Sequence, residues 1–447
     1  MRAVDQVYAA LDHITTGCVI LRANHSQNLR WANSALTTNG DTVTTSMTVI
    51  AMEPAEGGSR VAVSSGQVGG PDEAAALAAG CAEAVHRAPI TDSAELIDGT
   101  EAEGFPDDPE LIPASATDAM QADVAGFLAA GGRQFGYAEL NTTTTYLGTS
   151  AGVALRHVQD GVRIEASARS AAGSTWWGAN DLAIDAEAIS EQAARRLELQ
   201  GRREDERPGR HRVILTPSAV ADLLIYLAWS ANGRDAVEGH NVFSRPGGAT
   251  RIGEPLTPRR LDLYADPHDP TLGVSSHVVV DANSSMESVF DNGLPMHRAN
   301  LISGGVLEAL RASRPTAARF GLRPLYLADN LICVDEDGTG SLDDLVGRTD
   351  DAILVNCLWY IREVDPQNLL LTGLTRDGVY RVREGRLVAA LPNFRFNVAV
   401  TDVLARILDA SAPTNCLPRE WADWFTRTRM PALLVDGFNL SSVSEAL

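Results

Sequence analysis

Residues 357–397 read CLWYIREVDPQNLLLTGLTRDGVYRVREGRLVAALPNFRFN. No other part of the chain is as dense in strand and turn signals. An aromatic-aliphatic segment, 357–361, leads into Arg362, Glu363 and an Asp365-Pro366 turn. A continuous apolar strand follows at 369–371, and Gly373 interrupts it. Segments 378–382 and 387–390 then face each other across Arg383-Glu384-Gly385-Arg386, a loop length and glycine placement that predict a hairpin. The stretch reads as antiparallel sheet in a domain core, with no catalytic group of its own.

At 447 residues the chain is long enough for two or three domains, each with its own core. An apolar content of 45% with 21% charged residues is that of a globular protein. Met1-Arg2 leads into Asp5 and Asp12 without the apolar core of a secretory signal. The greasiest segment, 219–231, carries Asp222 and is too short to cross a bilayer. The expected location is therefore cytoplasmic, with no membrane contact. Five cysteines (Cys18, Cys81, Cys333, Cys357, Cys416) form no CxxC, which argues against a disulfide framework and a cysteine-only zinc site. A net charge of −21 argues against nucleic acid, whose phosphates need a dense cluster of cations. All 37 basic residues are arginine. The absence of lysine excludes Schiff-base chemistry, a pyridoxal-phosphate anchor, a P-loop lysine and a kinase-type lysine together.

Taken in order, the chain opens with a helix over 3–11, strands at 18–21, 43–52 and 60–65, and a turn at 36–40. A helix over 71–86 follows, with Asp72 and Glu73 at its positive end. Residues 91–110 read as a solvated acidic loop. A helix over 117–130, meandering strands at 135–139, 142–147, 152–158 and 162–170, and a helix over 182–199 complete the first half. Residues 1–200 are predicted to be an N-terminal domain, 201–211 a polar linker and 212–447 a C-terminal domain. In the second half Thr216 and Pro217 fit the cap and first position of a helix that is apolar all round, and so buried. Short strands are expected at 261–264, 276–280, 286–290 and 324–328, then a helix over 400–410 and a strand at 433–435. The fold class is α+β: a mixed α/β N-terminal domain, then a mostly antiparallel β C-terminal domain, barrel- or sandwich-like, around a buried helix.

No catalytic motif stands out. A zinc protease of the usual sort places two histidines and a glutamate on one helix. Here none of the nine histidines is followed by glutamate, and no two lie within four residues. His268 and His277, with Asp266 and Asp269 near the first, are the one pairing that suggests a metal; the prolines around them favour a turn. Gly148-Thr-Ser-Ala-Gly152 matches G-x-S-x-G without the strand-to-helix context of a nucleophile elbow. The acidic loop from Asp335 lacks the closing glutamate of a calcium loop.

Several phrases resemble the TldD/PmbA family of metalloproteases, in particular its TldE (PmbA) branch. They are LRWANSALTTNG at 29–40, TTYLGTSAG at 144–152, ILTPSAVADLLIYLAW at 214–229, LLTGLTRDGVYRVREGRLV at 370–388, NFRFN at 393–397, and REWADWFTRTRMPALLVDGFNLSSVS at 419–444. They span essentially the whole chain and keep the family's order. The catalytic branch carries HExxxH on the helix after the strand at 213–215. Laid over that pattern, the positions fall on Ile225, Tyr226 and Ser230, none of which can do the work of His, Glu and His. Cys416 lies roughly where that branch has a zinc-ligating cysteine, but a lone thiolate makes no tetrahedral site and no ligand is assigned.

The resemblance implies a two-domain, non-catalytic subunit, with no cofactor of its own, that pairs with a TldD-type catalytic subunit holding the zinc. Together they would enclose a chamber that degrades unfolded peptides or trims leader peptides. Trp359, Tyr360, Arg362, Arg395 and Asn397 are the expected contacts for peptide or partner. The alternatives are a stand-alone metal-dependent hydrolase working around His268 or His277, and a peptide-binding module without a protease partner.

Overall fold

The structure is a computed structural model that describes residues 2–130 and 132–444. In the first half, helices α1 (Ala3–Leu11), α2 (Pro71–Ala84), α3 (Ala114–Ala129) and α4 (Ala186–Gln200) accompany seven strands. These are β1 (Gly17–Ala32), β2 (Ala35–Ala55), β3 (Gly58–Gln67), β4 (Ile90–Thr91), β5 (Gln134–Thr149), β6 (Ala154–Arg169) and β7 (Ser174–Ala179). They form one antiparallel sheet in the order β4-β3-β2-β1-β5-β6-β7. Alternation sorts the side chains: Val19, Leu21 and Val49 pack under α1 and α2, whereas Cys18, Ile20 and Ile50 face Val289 and Phe290 of the second half. The sheet is therefore buried on both faces near its centre.

The sequence underestimates these strands. Residues 36–40, expected as a turn, are strand: Asn39 and Gly40 pair with Leu29 and Asn28. The turn is Asn33-Ser34, both left-handed at φ 51° and 58°, as a two-residue hairpin loop requires. The strands predicted at 135–139 and 142–147 are one strand, β5, and those at 152–158 and 162–170 are mostly one strand, β6. The acidic segment 91–110 is a largely exposed loop, as expected, but it also makes contacts that the sequence does not show. Asp92 pairs with Arg319, the Glu95 carbonyl accepts from Arg314, and Leu96 and Ile97 pack on the sheet, so it straps the two halves together.

The second half comprises β8 (Gly209–Leu215), α5 (Pro217–Ser230), α6 (Gly233–Glu238), β9 (Leu261–Ala265), β10 (Ala299–Ser303), β11 (Val306–Leu307), α7 (Arg314–Phe320), β12 (Leu331–Asp335) and α8 (Leu342–Gly347). It continues with β13 (Asp351–Asp365), β14 (Leu370–Arg383), β15 (Arg386–Ala390), β16 (Asn393–Ala399), α9 (Val400–Ala405), β17 (Ile407–Ala410), β18 (Thr414–Cys416), β19 (Thr428–Met430) and β20 (Leu433–Ser444). Strands β13, β8, β20, β16 and β14 pair in that order, and β14 pairs back onto β13, closing a ring. A second sheet runs β11-β10-β9-β12-β19-β18. Helix α5 joins the largest core, which includes residues of both the ring and this sheet. The architecture is α+β, with a mostly antiparallel second half around a buried helix, as the sequence predicts.

The 357–397 stretch supplies β13 to β16. Its hairpin turns at Glu384-Gly385, both left-handed (φ 47° and 73°). Gly373 does not end the strand: a Cβ there would lie 2.6 Å from the Phe396 ring, so glycine lets two strands and an aromatic ring approach. The strands expected at 276–280, 286–290 and 324–328 are irregular segments; isolated bridges such as His277 to Pro295 and Ala312 to Leu325 hold them instead. The helix expected over 400–410 stops at Ala405, because Ile407–Ala410 finds backbone partners on β20. Residues 201–208 join α4 to β8, with Glu204 paired to Arg383 at 2.8 Å. Among the described residues no helix is long and apolar enough to cross a membrane.

Candidate functional site

Helix α5 is fixed at its start by Thr216, whose hydroxyl accepts from the Ala219 N–H, with Pro217 in the first turn. Leu223, Leu224 and Leu227 are fully buried. So is Asp222, an acid in an apolar helix, and its partners explain it. Its Oδ1 accepts from the N–H groups of Glu420 (3.0 Å) and Trp421 (3.4 Å), and Oδ2 from that of Arg419 (3.2 Å). Burial pushes its pKa well above the usual range, and these three N–H groups oppose the shift. The same loop is latched on its other side by Glu420, which accepts from the N–H groups of Tyr360 (2.9 Å) and Ile361 (3.1 Å). Tyr360 sits there at φ 57°, in a bulge of β13.

The loop carries Trp424 and Phe425 to the mouth of a cavity of about 700 Å³. Strands β5 and β6 form one wall, with Thr143 and His157. Ile225 and Trp229 of α5 form another, and Arg311, Tyr326 and Asp329 complete it. Burial lowers the pKa of His157 and of His277, so both are neutral imidazoles at pH 7. Burial, then Asp291, raises that of Tyr326, which donates to Asp291 at 2.7 Å. Asp329 differs from every other acid nearby. Solvent reaches it, but protein encloses it, and burial pushes its pKa up to about 6. The sequence reading overlooked Asp329 and Arg311. The one linear hint was an acid inside the apolar run 325–334.

The three positions of the metal motif have separate fates. Ile225 is buried and faces the cavity. Tyr226 packs against Trp229 and Trp421, with ring centroids 6.0 and 5.7 Å away. The Ser230 hydroxyl donates to the Tyr226 carbonyl at 2.9 Å. Cys416 shares a hydrogen bond with Thr428, and burial pushes its thiol up to about 12. These residues do not fit zinc: an alkyl group, a phenol, a bonded hydroxyl and a protonated thiol offer no ligand set. Converting Ile225, Tyr226 and Ser230 to His, Glu and His is expected to cost about 1–3 kcal/mol, chiefly from lost Tyr226 packing and poorly paired polar groups. A denaturant melt unchanged by the triple substitution would show that the helix is not packed as described.

The His268/His277 pairing does not assemble a metal group either. Asp269 is taken by Arg429 (2.8 Å) and by the Thr271 and Leu272 N–H groups, and the Asp266 carboxylate caps the His268 N–H. Among the described residues, the one set of three metal-capable side chains with donor atoms within 4.8 Å of one another is Asp235, Glu238 and His240, outside the cavity. The acids of the calcium-like loop are paired with arginines, Asp335 with Arg259 and Asp337 with Arg260. Ser150 of the G-x-S-x-G phrase accepts from the Gly17 N–H in the turn between β5 and β6.

Four of the five expected contact residues fall on one face of the ring. Register aligns Trp359, Leu374 and Arg395 in one row and Arg362, Thr372 and Asn397 in the next, while the intervening Gly373 and Phe396 point inward. Arg419 stacks on Trp359 at 4.6 Å, and the exposed Tyr360 lies beside Arg362 at 5.3 Å. Arg395 is exposed, and Asn397 is half-buried with an unpartnered Oδ1.

Comparison with known proteins agrees with this geometry. Residues 208–442 match the model of the PmbA/TldA metallopeptidase C-terminal domain. No curated protein sequence matches the chain. Among solved structures, TldE from Thermococcus kodakarensis is 14% identical, with a TM-score of 0.76 over 97% of this chain and 98% of that one. A protein assigned as a modulator of DNA gyrase from Bacteroides thetaiotaomicron is 15% identical, with a TM-score of 0.74 over 99% and 98%. A protein with the same assignment from Thermotoga maritima is 15% identical, with a TM-score of 0.70 over 94% and 95%. The shared fold extends across both halves, and the matched family model covers more than half of the sequence: the chain belongs to the PmbA/TldD metallopeptidase family.

Proposed function

We propose that the chain is the non-catalytic, TldE-like subunit of a heteromeric TldD/TldE zinc metalloprotease that degrades or trims unfolded peptides in the cytoplasm. The observation that carries this reading is the set Ile225, Tyr226 and Ser230, where the catalytic motif would stand. In this reading zinc belongs to a TldD-type partner, and this chain closes the chamber and positions peptide. An aromatic-walled cavity beside α5 suits an apolar peptide segment. The outer face that carries Trp359, Arg362, Arg395 and Asn397 offers the aromatic and arginine anchors that protein contacts favour. The stand-alone hydrolase has less support, because Asp266 and Asp269 are committed to their own turn.

The test is reconstitution. Co-expressed with an HExxxH-bearing partner, the chain is expected to co-purify with it and to raise cleavage of unfolded casein above that of the partner alone. Failure to bind any such partner, with the chain folded, would leave a peptide-binding module instead.

A further inference from the structure

Among the described residues the acids that the fold buries have partners. Asp222 holds three backbone N–H groups, Asp291 meets Arg314 and Tyr326, Asp335 meets Arg259, and Asp269 meets Arg429. Asp329 is not one of them. It is exposed to solvent in the cavity wall, and its carboxylate has no hydrogen bond or ion pair among the described residues. An unpaired carboxylate facing a cavity lined by aromatic rings leaves a position open for a ligand of opposite charge.

The surroundings decide which charge. Arg427, Glu287 and Arg311 are the charged groups acting on Asp329, and His157, His277 and Tyr326 share its cavity. Both histidines are held neutral by burial. Arg311, with its side chain 12% exposed, already faces Glu287 at 3.4 Å, although its Nε has no partner. Arg427 donates to the Gly273 carbonyl and reaches no carboxylate. The cavity wall itself thus carries two acids, Glu287 and Asp329, against one arginine. Trp229, Trp424 and Phe425 add aromatic faces, which favour a cation and an apolar side chain alike.

We propose that this cavity captures a primary ammonium group of a peptide, with Asp329 as its counter-ion and the aromatic wall holding the adjoining side chain. The inference rests on the peptide-holding role proposed above and names the chemistry that role would recognise. The ammonium comes either from a chain terminus or from a lysine side chain.

Ionised Asp329 is the binding form, so affinity should rise as pH rises through about 6, while an α-ammonium stays mostly charged to about pH 7.5. Asp329→Asn also reports on the fold. A carboxyl whose pKa is raised on folding costs stability progressively as pH rises from about 4 to about 6, so the variant's gain in melting temperature over wild type should be full at about pH 7.5, partial at about pH 5 and absent below about pH 4.

The experiment is calorimetric titration of the purified chain with short apolar peptides. One has a free N-terminus and no lysine, one is N-acetylated, and one is N-acetylated with a lysine. At about pH 7.5 an ammonium-bearing peptide should bind about ten- to a hundredfold more tightly than the acetylated one, the worth of one charge-assisted pair. Whichever ammonium peptide binds identifies the source. The preference should shrink at about pH 5 and vanish in Asp329→Asn, whose melting curve confirms folding. Equal affinity for all three peptides overturns this inference alone, as does an ammonium preference that survives in Asp329→Asn. A preference for a free C-terminal carboxylate over its amide, lost in Arg311→Ala, also overturns it. Binding of no peptide overturns both the inference and the peptide-holding role.

Discussion

Asp222→Ala is expected to lower the unfolding free energy by about 3–5 kcal/mol, measured by urea denaturation. The substitution leaves the N–H groups of Arg419, Glu420 and Trp421 facing a void where the carboxylate stood. Each unpaired buried donor costs about 1–3 kcal/mol, less what the loop recovers by turning toward water. The Trp421 indole N–H would still donate to the Asp222 backbone carbonyl, so the loop should loosen without detaching. Because the loop holds Trp424 and Phe425 at the cavity mouth, peptide affinity should fall with stability. Asp222→Asn keeps one acceptor oxygen but turns an amide toward a backbone donor, and should land between wild type and alanine. Wild-type stability in the alanine variant would show that the acid does not organise the loop.

Arg314→Ala is expected to cost a similar amount, about 3–5 kcal/mol, through a different mechanism. Asp291 is fully buried, with Arg314 Nε at 2.5 Å from one oxygen. Removing one member of a buried pair strands the other charge in a low-dielectric site. Only the Tyr326 hydroxyl and the backbone N–H of residue 314 would remain on that carboxylate. Arg314 also donates to the Glu95 carbonyl at 2.8 Å, so the strap over the two halves should open as well. Limited proteolysis within residues 91–110, accelerated in the variant and slow in wild type, would report that opening. A melt unchanged from wild type would contradict the pairing.

How much of this was legible in the sequence depends on how local the signal is. Helix α5 could be read because its cap, its proline and its all-round apolarity lie within 16 residues. The hairpin at Glu384-Gly385 announced itself through turn chemistry. The long strands β1, β2, β5 and β6 were legible only in pieces, because polar runs such as 24–28 and 37–42 show no apolar alternation and are held by pairing along their whole length. The Asn39-Gly40 turn signal was overridden by that pairing. Gly373 looked like an interruption because the sequence cannot show that Phe396 needs the space of its missing side chain. The contact residues are legible by type, whereas the face that four of them share depends on a bulge in β13 that has no linear signature. The cavity was least legible of all. Thr143, His157, Ile225, Arg311, Asp329 and Trp424 come from distant segments, and only the fold brings them together.

The central claim is that this chain builds part of a proteolytic chamber without holding its metal. Metal analysis of the purified chain, after equilibration with zinc and dialysis, tests it most directly when run beside a peptide-cleavage assay. The account predicts substoichiometric zinc, no cleavage by the chain alone, and cleavage once a TldD-type partner is added. One zinc per chain together with cleavage by the single subunit would contradict it.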